Sequence, residues 1–170
     1  MAIEWGSSAA HVREVLAHRA AGVAVMTTRL GEERRGLTVS AWCSVSLEPP
    51  LVLACVERVT ATHALVAHSG VFALTILARE QEALADRFAG RLIAVPPDFA
   101  GVAHFAAVTG APLLAGGIGW LDCRVVASYP AGTHSIVVGE VVAAAQAEAA
   151  DSMAPLLYLR RRYTAPSDDA

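Results

Sequence analysis

The chain has 170 residues, 55% of them hydrophobic and 17% charged, with a formal net charge of −3 and a pI near 6.0. That length suits one domain with its own core, and the charge balance lacks the basic footprint that a phosphate backbone needs, which argues against a nucleic-acid partner. The apolar surplus exceeds what an ordinary soluble monomer uses, so surface covered by a second subunit is expected.

The N-terminal stretch reads as a helix. Ser7 or Ser8 can cap it, Val12, Val15, Leu16 and Arg19 recur at helical spacing, and Gly22 is expected to end it. The period then changes. Residues 23–28, 36–41, 51–56 and 71–77 are short runs rich in β-branched residues, bounded by Gly, Pro or charge clusters, and read as strands. The runs 51–56 and 71–77 are apolar on both alternations, so both faces are expected to be covered. Between them, residues 61–68 can form one or two helical turns. A better helix is expected over residues 79–89, where Leu84 and Phe88 share a face and Gly90 serves as the stop. Two long strand-like runs, 118–129 and 134–145, flank the turn sequence Pro130-Ala131-Gly132-Thr133, and residues 156–163 supply a last strand. The Arg160-Arg161-Arg162 run reads as a solvated strand end. Six or seven strands with a few short helices predict a mostly β protein, a closed or partly closed antiparallel barrel.

Two apolar stretches imitate membrane segments and are read as soluble. Residues 20–26 are too short, and the charge-free stretch 99–121 is broken by Gly101, Gly110, Pro112, Gly116, Gly117 and Gly119. Cys43, Cys55 and Cys123 are too scattered for a disulfide framework or a zinc site. Cys55 is expected to be a small buried hydrophobe, and a reducing cytoplasm fits best. The histidines show no metal-ligand spacing, and no metal is expected. One domain is expected over 1–170, with its core at about 12–163 and a short flexible C-terminal tail.

Three segments could carry chemistry. In Gly36-Leu-Thr-Val-Ser-Ala41 and the following Cys43-Ser-Val-Ser-Leu-Glu-Pro-Pro50, hydroxyls alternate along extended chain at Thr38 and Ser40, then at Ser44 and Ser46. Such a wall can hydrogen-bond a heterocycle, or it can simply be the wet face of a strand. In the second, a strand runs through Cys55 and Val56 into Glu57-Arg58-Val59-Thr60-Ala61-Thr62. There a helix start, two hydroxyls and an arginine suit a phosphate, although Thr60 also reads as a plain N-cap. The third is Gly132-Thr133-His134 at the hairpin turn. Its histidine could position a cofactor or be an ordinary surface residue. Dinucleotide-fold, Walker and nucleophile-elbow motifs are missing.

These runs occur in a specific order: Gly-Leu-Thr-Val-Ser-Ala, then Ser-Val-Ser-Leu-Glu-Pro-Pro-Leu-Val-Leu-Ala-Cys-Val, then Gly70-Val-Phe-Ala-Leu-Thr-Ile-Leu-Ala-Arg-Glu-Gln81, Gly110-Ala-Pro-Leu-Leu114, Gly132-Thr-His-Ser-Ile-Val-Val-Gly-Glu-Val141 and Pro155-Leu-Leu-Tyr158. Together they resemble the flavin reductase-like, FMN-binding split-barrel family. The resemblance implies a six- or seven-stranded antiparallel split β-barrel that forms a homodimer. It implies transfer of hydride from NADH or NADPH to FMN or FAD, with reduced flavin passed to a separate monooxygenase. It places Thr38, Val39, Ser40 and Ala41 along the isoalloxazine edge with Cys55 and Val56 beside them. Ser44 and Ser46 fall near the ribityl chain, Thr60 and Thr62 at the phosphate, and Phe88 near the dinucleotide. His134 meets the nicotinamide, and Tyr163 closes over the site. A flavin-dependent oxidase or oxygenase and a non-catalytic flavin or haem carrier are the alternatives on the same fold. Two departures stand out. The turn reads Gly-Thr-His where the family has Gly-Asp-His, so weaker orientation of His134 is expected, and Ala41-Trp42-Cys43 replaces Ser-Phe-Thr. No basic pocket for a 2′-phosphate is evident, which favours NADH.

Overall fold

The computed structural model describes residues 5–92 and 97–167. Helix α1 (Ala9–Leu16) leads into β1 (Ala21–Gly22), β2 (Ala24–Leu30), β3 (Glu33–Val39), β4 (Trp42–Leu47) and β5 (Pro50–Glu57). Helix α2 (Ala61–Ser69), β6 (Val71–Ile76) and α3 (Glu82–Phe88) follow, then β7 (His104–Phe105) and β8 (Leu113–Leu114). The chain ends through β9 (Gly119–Ala131), β10 (His134–Gln146), β11 (Leu157–Leu159) and β12 (Arg162–Thr164).

Seven strands form one sheet in the order β3-β2-β6-β9-β10-β5-β4, every neighbouring pair antiparallel. Strands β3 and β4 sit at opposite edges of this sheet, yet only Ser40 and Ala41 separate them in the chain. Extended backbone covers at most about 11 Å from Val39 to Trp42, so the sheet must curl until its edges nearly meet there. The barrel closes at Ser40–Ala41. Closure is also why β2 and β6 are buried on both alternations. Ala24, Met26, Phe72 and Leu74 fill the interior, while Val23, Val25 and Leu77 pack outward against Phe88, Leu114 and Leu156. Each large apolar side chain so buried contributes roughly 1.5–3 kcal/mol.

The buried threonine and aspartate side chains are matched. The Thr28 hydroxyl donates to Val71 O at 2.8 Å, the Thr75 hydroxyl accepts from Leu114 N at 3.0 Å, and the Thr27 hydroxyl donates to Pro112 O. The Asp122 carboxylate, 1% exposed, accepts from Val108 N and Thr109 N at 2.8 Å each and from the Thr109 hydroxyl. In the long β9–β10 hairpin, Gly139 lies at a register shift and faces Phe72. A Cβ there would collide with that ring, so only glycine lets β10 approach the interior.

Several expectations need correction. Helix α1 stops at Leu16, not Gly22, because the backbone tightens through His18 N→Val15 O and Arg19 N→Leu16 O bonds, and Gly22 is claimed by pairing with Leu157. Strand β5 is fully buried on only one alternation: Val52, Ala54 and Val56 face the core, while Leu51, Leu53 and Cys55 remain partly exposed. Cys55 is therefore not the buried hydrophobe expected; Cys123 is. Burial pushes the Cys123 thiol up to about 12, with neighbouring Asp122 adding to the shift. The register of β4 shifts between Ser44 and Ser46, which breaks their shared alternation.

The single last strand is instead a hairpin, β11–β12, turned by Arg160 (φ 50°) and Arg161 (φ 63°). Both arginines occupy the left-handed region, at roughly 1–2 kcal/mol each. The Arg160-Arg161-Arg162 run is solvent-exposed as expected, but its first two residues form the turn rather than a strand end. Arg160 N donates to Ala17 O at 2.7 Å, and Arg161 pairs with Glu14, so the turn docks on α1. Residues 168–170 of the expected tail lie outside the described residues. Among the described residues, no helix is long and apolar enough to cross a membrane.

Candidate functional site

The residues at the barrel's closure line a cavity of about 320 Å³. Leu37, Thr38, Val39, Ser40 and Ala41 form one wall, Cys55 and Glu57 from β5 the other, with Thr60, Phe88, Ala89 and His134 around the ends. An extension of about 440 Å³ shares Leu37, Thr60, Phe88 and Ala89 and continues past Arg35, Ala61 and Thr62 at the start of α2. Both fall within the size range of small-molecule sites.

Local bonding fixes each wall. Thr38 donates its hydroxyl to Ala85 O of α3 at 2.6 Å, which clamps the helix to β3 and commits that proton. Ser40 is different: its carbonyl accepts from Arg19 Nη2 at 3.4 Å, while its hydroxyl has no partner among the described residues. Phe88 lies against β3 because residue 36 is glycine. A Cβ there would sit 2.9 Å from the ring. Phe88 also meets Phe99 at a 5.3 Å centroid distance.

The α2 start is capped by Thr60, whose hydroxyl accepts from His63 N at 3.1 Å and donates to Glu57 O at 2.8 Å. Thr62 is buried and donates to Gly36 O at 3.2 Å, tying α2 to β3. The positive end of the α2 dipole thereby faces the extension. Arg35, also on that wall, carries a buried Nε without a partner, while its Nη2 pairs with Glu33 at 2.8 Å. A phosphate-bearing ring compound suits this donor set.

His134 opens β10 directly opposite Glu57. Its Nδ1 lies 2.9 Å from the Thr133 hydroxyl. Thr133 therefore supplies the orienting partner that the missing carboxylate was expected to provide. Tyr163 borders a smaller cavity of about 90 Å³ that shares Thr38, Ser40 and Ala89 with the main one. Burial pushes the Tyr163 hydroxyl up to about 12, against the pull of Arg91, which sits 5.3 Å from the centroids of both the Tyr158 and Tyr163 rings.

The structure thus brings Thr38, Val39, Ser40, Ala41, Cys55, Thr60, Phe88 and His134 together, with Thr62 and Tyr163 on adjoining walls. It does not bring in three others. Ser44 and Ser46 lie on β4 beyond the groove, and the Val56 side chain points wholly into the core. Arg35, Glu57 and Ala89 were missed, because neither period nor spacing in the sequence marks a position that only barrel closure brings to the groove. No cluster that could hold a metal occurs among the described residues.

Comparison with known proteins identifies similar chains. A family model described as "Flavin reductase like domain" matches residues 16–167. The "FMN reductase (NADH) RutF 2" of Methylorubrum extorquens is 38% identical over 156 residues, covering 92% of this chain and 88% of that protein. The "4-hydroxyphenylacetate 3-monooxygenase, reductase component" of Thermus thermophilus is 40% identical over 152 residues, covering 89% and 92%. Among solved structures, the "NADH:FAD oxidoreductase SgcE6 in complex with NAD and FAD fragments" from Streptomyces globisporus superposes with a TM-score of 0.85. It is 33% identical and covers 95% of this chain and 94% of that one.

Proposed function

The chain belongs to the flavin reductase like domain family, and on that premise we propose that it is an NADH-dependent flavin reductase whose reduced FMN or FAD serves a separate monooxygenase. The observation that carries this reading is the groove at the barrel's closure, which joins a hydrogen-bonding wall, a helix N-terminus and an oriented histidine in one cavity.

The flavin, when bound, supplies the redox chemistry by accepting hydride from the nicotinamide ring. The protein binds and orients. Backbone groups from Thr38 to Ala41 and the free Ser40 hydroxyl hold the ring's polar edge, with Cys55 opposite. Their dipoles favour the negative charge that accumulates on reduction. The first amides of α2 and Arg35 hold the phosphate, and Thr60 caps the helix that presents those amides. Phe88 closes the dinucleotide side, and Tyr163 bounds the adjoining cavity. His134, held through Nδ1 by Thr133, positions the nicotinamide. Proximity then supplies much of the acceleration.

We also propose that the protein works as a homodimer. Val45, Leu47, Val59, Val126 and Tyr129 are exposed on or beside the β9-β10-β5-β4 half of the sheet, more apolar surface than a monomer tolerates comfortably. Three unpaired cysteines suit a reducing compartment, and we place the protein in the cytoplasm. Flavin fluorescence tests the binding half of the proposal. Emission of FMN or FAD is quenched by the purified protein with a Kd of about 1 µM or tighter, some −8 kcal/mol. Unquenched emission at saturating protein contradicts the reading.

A further inference from the structure

Among the described residues that line the groove, Glu57 carries the only carboxylate. The backbone beside it fixes where that carboxylate stands. Arg58 N donates to Thr133 O at 3.0 Å, which makes Arg58 and Thr133 a hydrogen-bonded cross-strand pair. One step along, Glu57 and His134 face each other as the pair without backbone bonds, the kind whose side chains approach most closely. Their Cβ atoms therefore lie about 4.5–5.5 Å apart on one face of the sheet, the face that Cys55 shares. The Glu57 side chain is exposed and makes no hydrogen bond or ion pair among the described residues. No arginine lines this cavity among them, so the carboxylate stands unneutralised beside His134.

The nicotinamide that His134 positions changes charge during the reaction. Its C4–H bond breaks with the electron pair, and an N–H bond forms at flavin N5. The nicotinamide is oxidised by two electrons, from a neutral ring to a cationic one, and the flavin is reduced. An anion fixed beside that ring stabilises the charge as it develops, and holds the oxidised form more tightly than the reduced form. The same anion would oppose negative charge on the flavin, so its position decides the sign of its effect. Glu57 stands next to His134, on the wall opposite the Thr38–Ala41 groups that receive the flavin's charge.

We propose that Glu57 is a further catalytic residue, the carboxylate that faces the nicotinamide and stabilises the positive charge gained as hydride leaves. Glu57 itself neither gives nor takes a proton in the step. The proposal deepens the flavin reductase reading and rests on it.

The test compares wild type with Glu57→Gln, which keeps the shape and removes the charge, and Glu57→Asp, which keeps the charge. Glu57 is exposed, and its backbone carbonyl rather than its side chain holds the Thr60 hydroxyl, so both variants keep the fold. Calorimetry reports NAD⁺ binding to the FMN-loaded protein, where no turnover occurs. Anaerobic stopped flow reports the hydride-transfer rate and, from its concentration dependence, the NADH Kd. In Glu57→Gln the NAD⁺ Kd rises about tenfold and the rate falls about tenfold, while the NADH Kd stays within about twofold. Glu57→Asp recovers most of both losses. An NAD⁺ Kd or a transfer rate in Glu57→Gln equal to that of the wild type overturns the role. So does an equal rise in both dissociation constants, or an aspartate variant as impaired as the glutamine one, because either assigns the loss to shape rather than charge. Turnover of NADH with FMN by the wild type separates the two claims. Its absence removes the functional reading, whereas intact turnover with an unaffected Glu57→Gln removes only this residue's role.

Discussion

His134 sits at the first position of β10 with Thr133 holding its Nδ1, so its remaining nitrogen is free to face a ligand. A residue that positions one substrate acts on that substrate's binding. Substituting His134→Ala is expected to raise the KM for NADH about tenfold, close to 1.4 kcal/mol, while flavin Kd stays within about twofold. Steady-state kinetics paired with a fluorescence titration checks this, and unchanged NADH kinetics sinks the role. Gly36 offers a second residue-scale test. Gly36→Ala forces the Phe88 ring off β3, since the new methyl would lie 2.9 Å from it. Flavin affinity is expected to fall severalfold, with a stability loss of about 1–3 kcal/mol by overpacking. Tyr163 supplies a pH signature. Its folded-state hydroxyl is raised to about 12 from an ordinary 10.0, chiefly by burial, so the fold favours the neutral form. That stabilisation is complete below pH 10 and disappears as pH rises through about 12. Thermal melts between these limits should show the decline, and Tyr163→Phe should flatten it.

At the scale of elements, the groove depends on α3 being clamped to β3. The Thr38–Ala85 bond is the clamp, and Thr38→Val removes it without changing shape. A loss of about 1 kcal/mol in chemical denaturation is expected, because Ala85 O still accepts from Ala89 N. A loss near zero would show that the helix is held by packing alone. The strands were legible in sequence because the period-2 pattern and the turn at Gly132-Thr133 are local signals, and β9 and β10 follow them closely. Strand β4 was read only as extended chain, since its burial pattern, nearly all exposed, carries no apolar alternation to detect. The β11–β12 hairpin was hidden because Arg160-Arg161 violates the usual turn chemistry. Ser44 and Ser46 fall outside the groove for a related reason: a register shift cannot be seen from spacing.

Across the whole molecule, closure of the sheet at Ser40–Ala41 both builds the barrel and creates the groove, so fold and site rest on the same crossing. The half of the sheet away from β3 leaves Leu47 at 84% and Tyr129 at 58% exposure, which a second copy would cover. Light scattering after gel filtration is expected to give the mass of two 17.7 kDa chains, and a single-chain mass would contradict the dimer. The central claim is hydride delivery to flavin, and anaerobic mixing of the protein with NADH and FMN tests it most directly. The predicted result is loss of oxidised-flavin absorbance matched one for one by NADH oxidation, roughly a thousandfold or more faster than without protein. A rate equal to that of NADH and FMN alone would contradict the account.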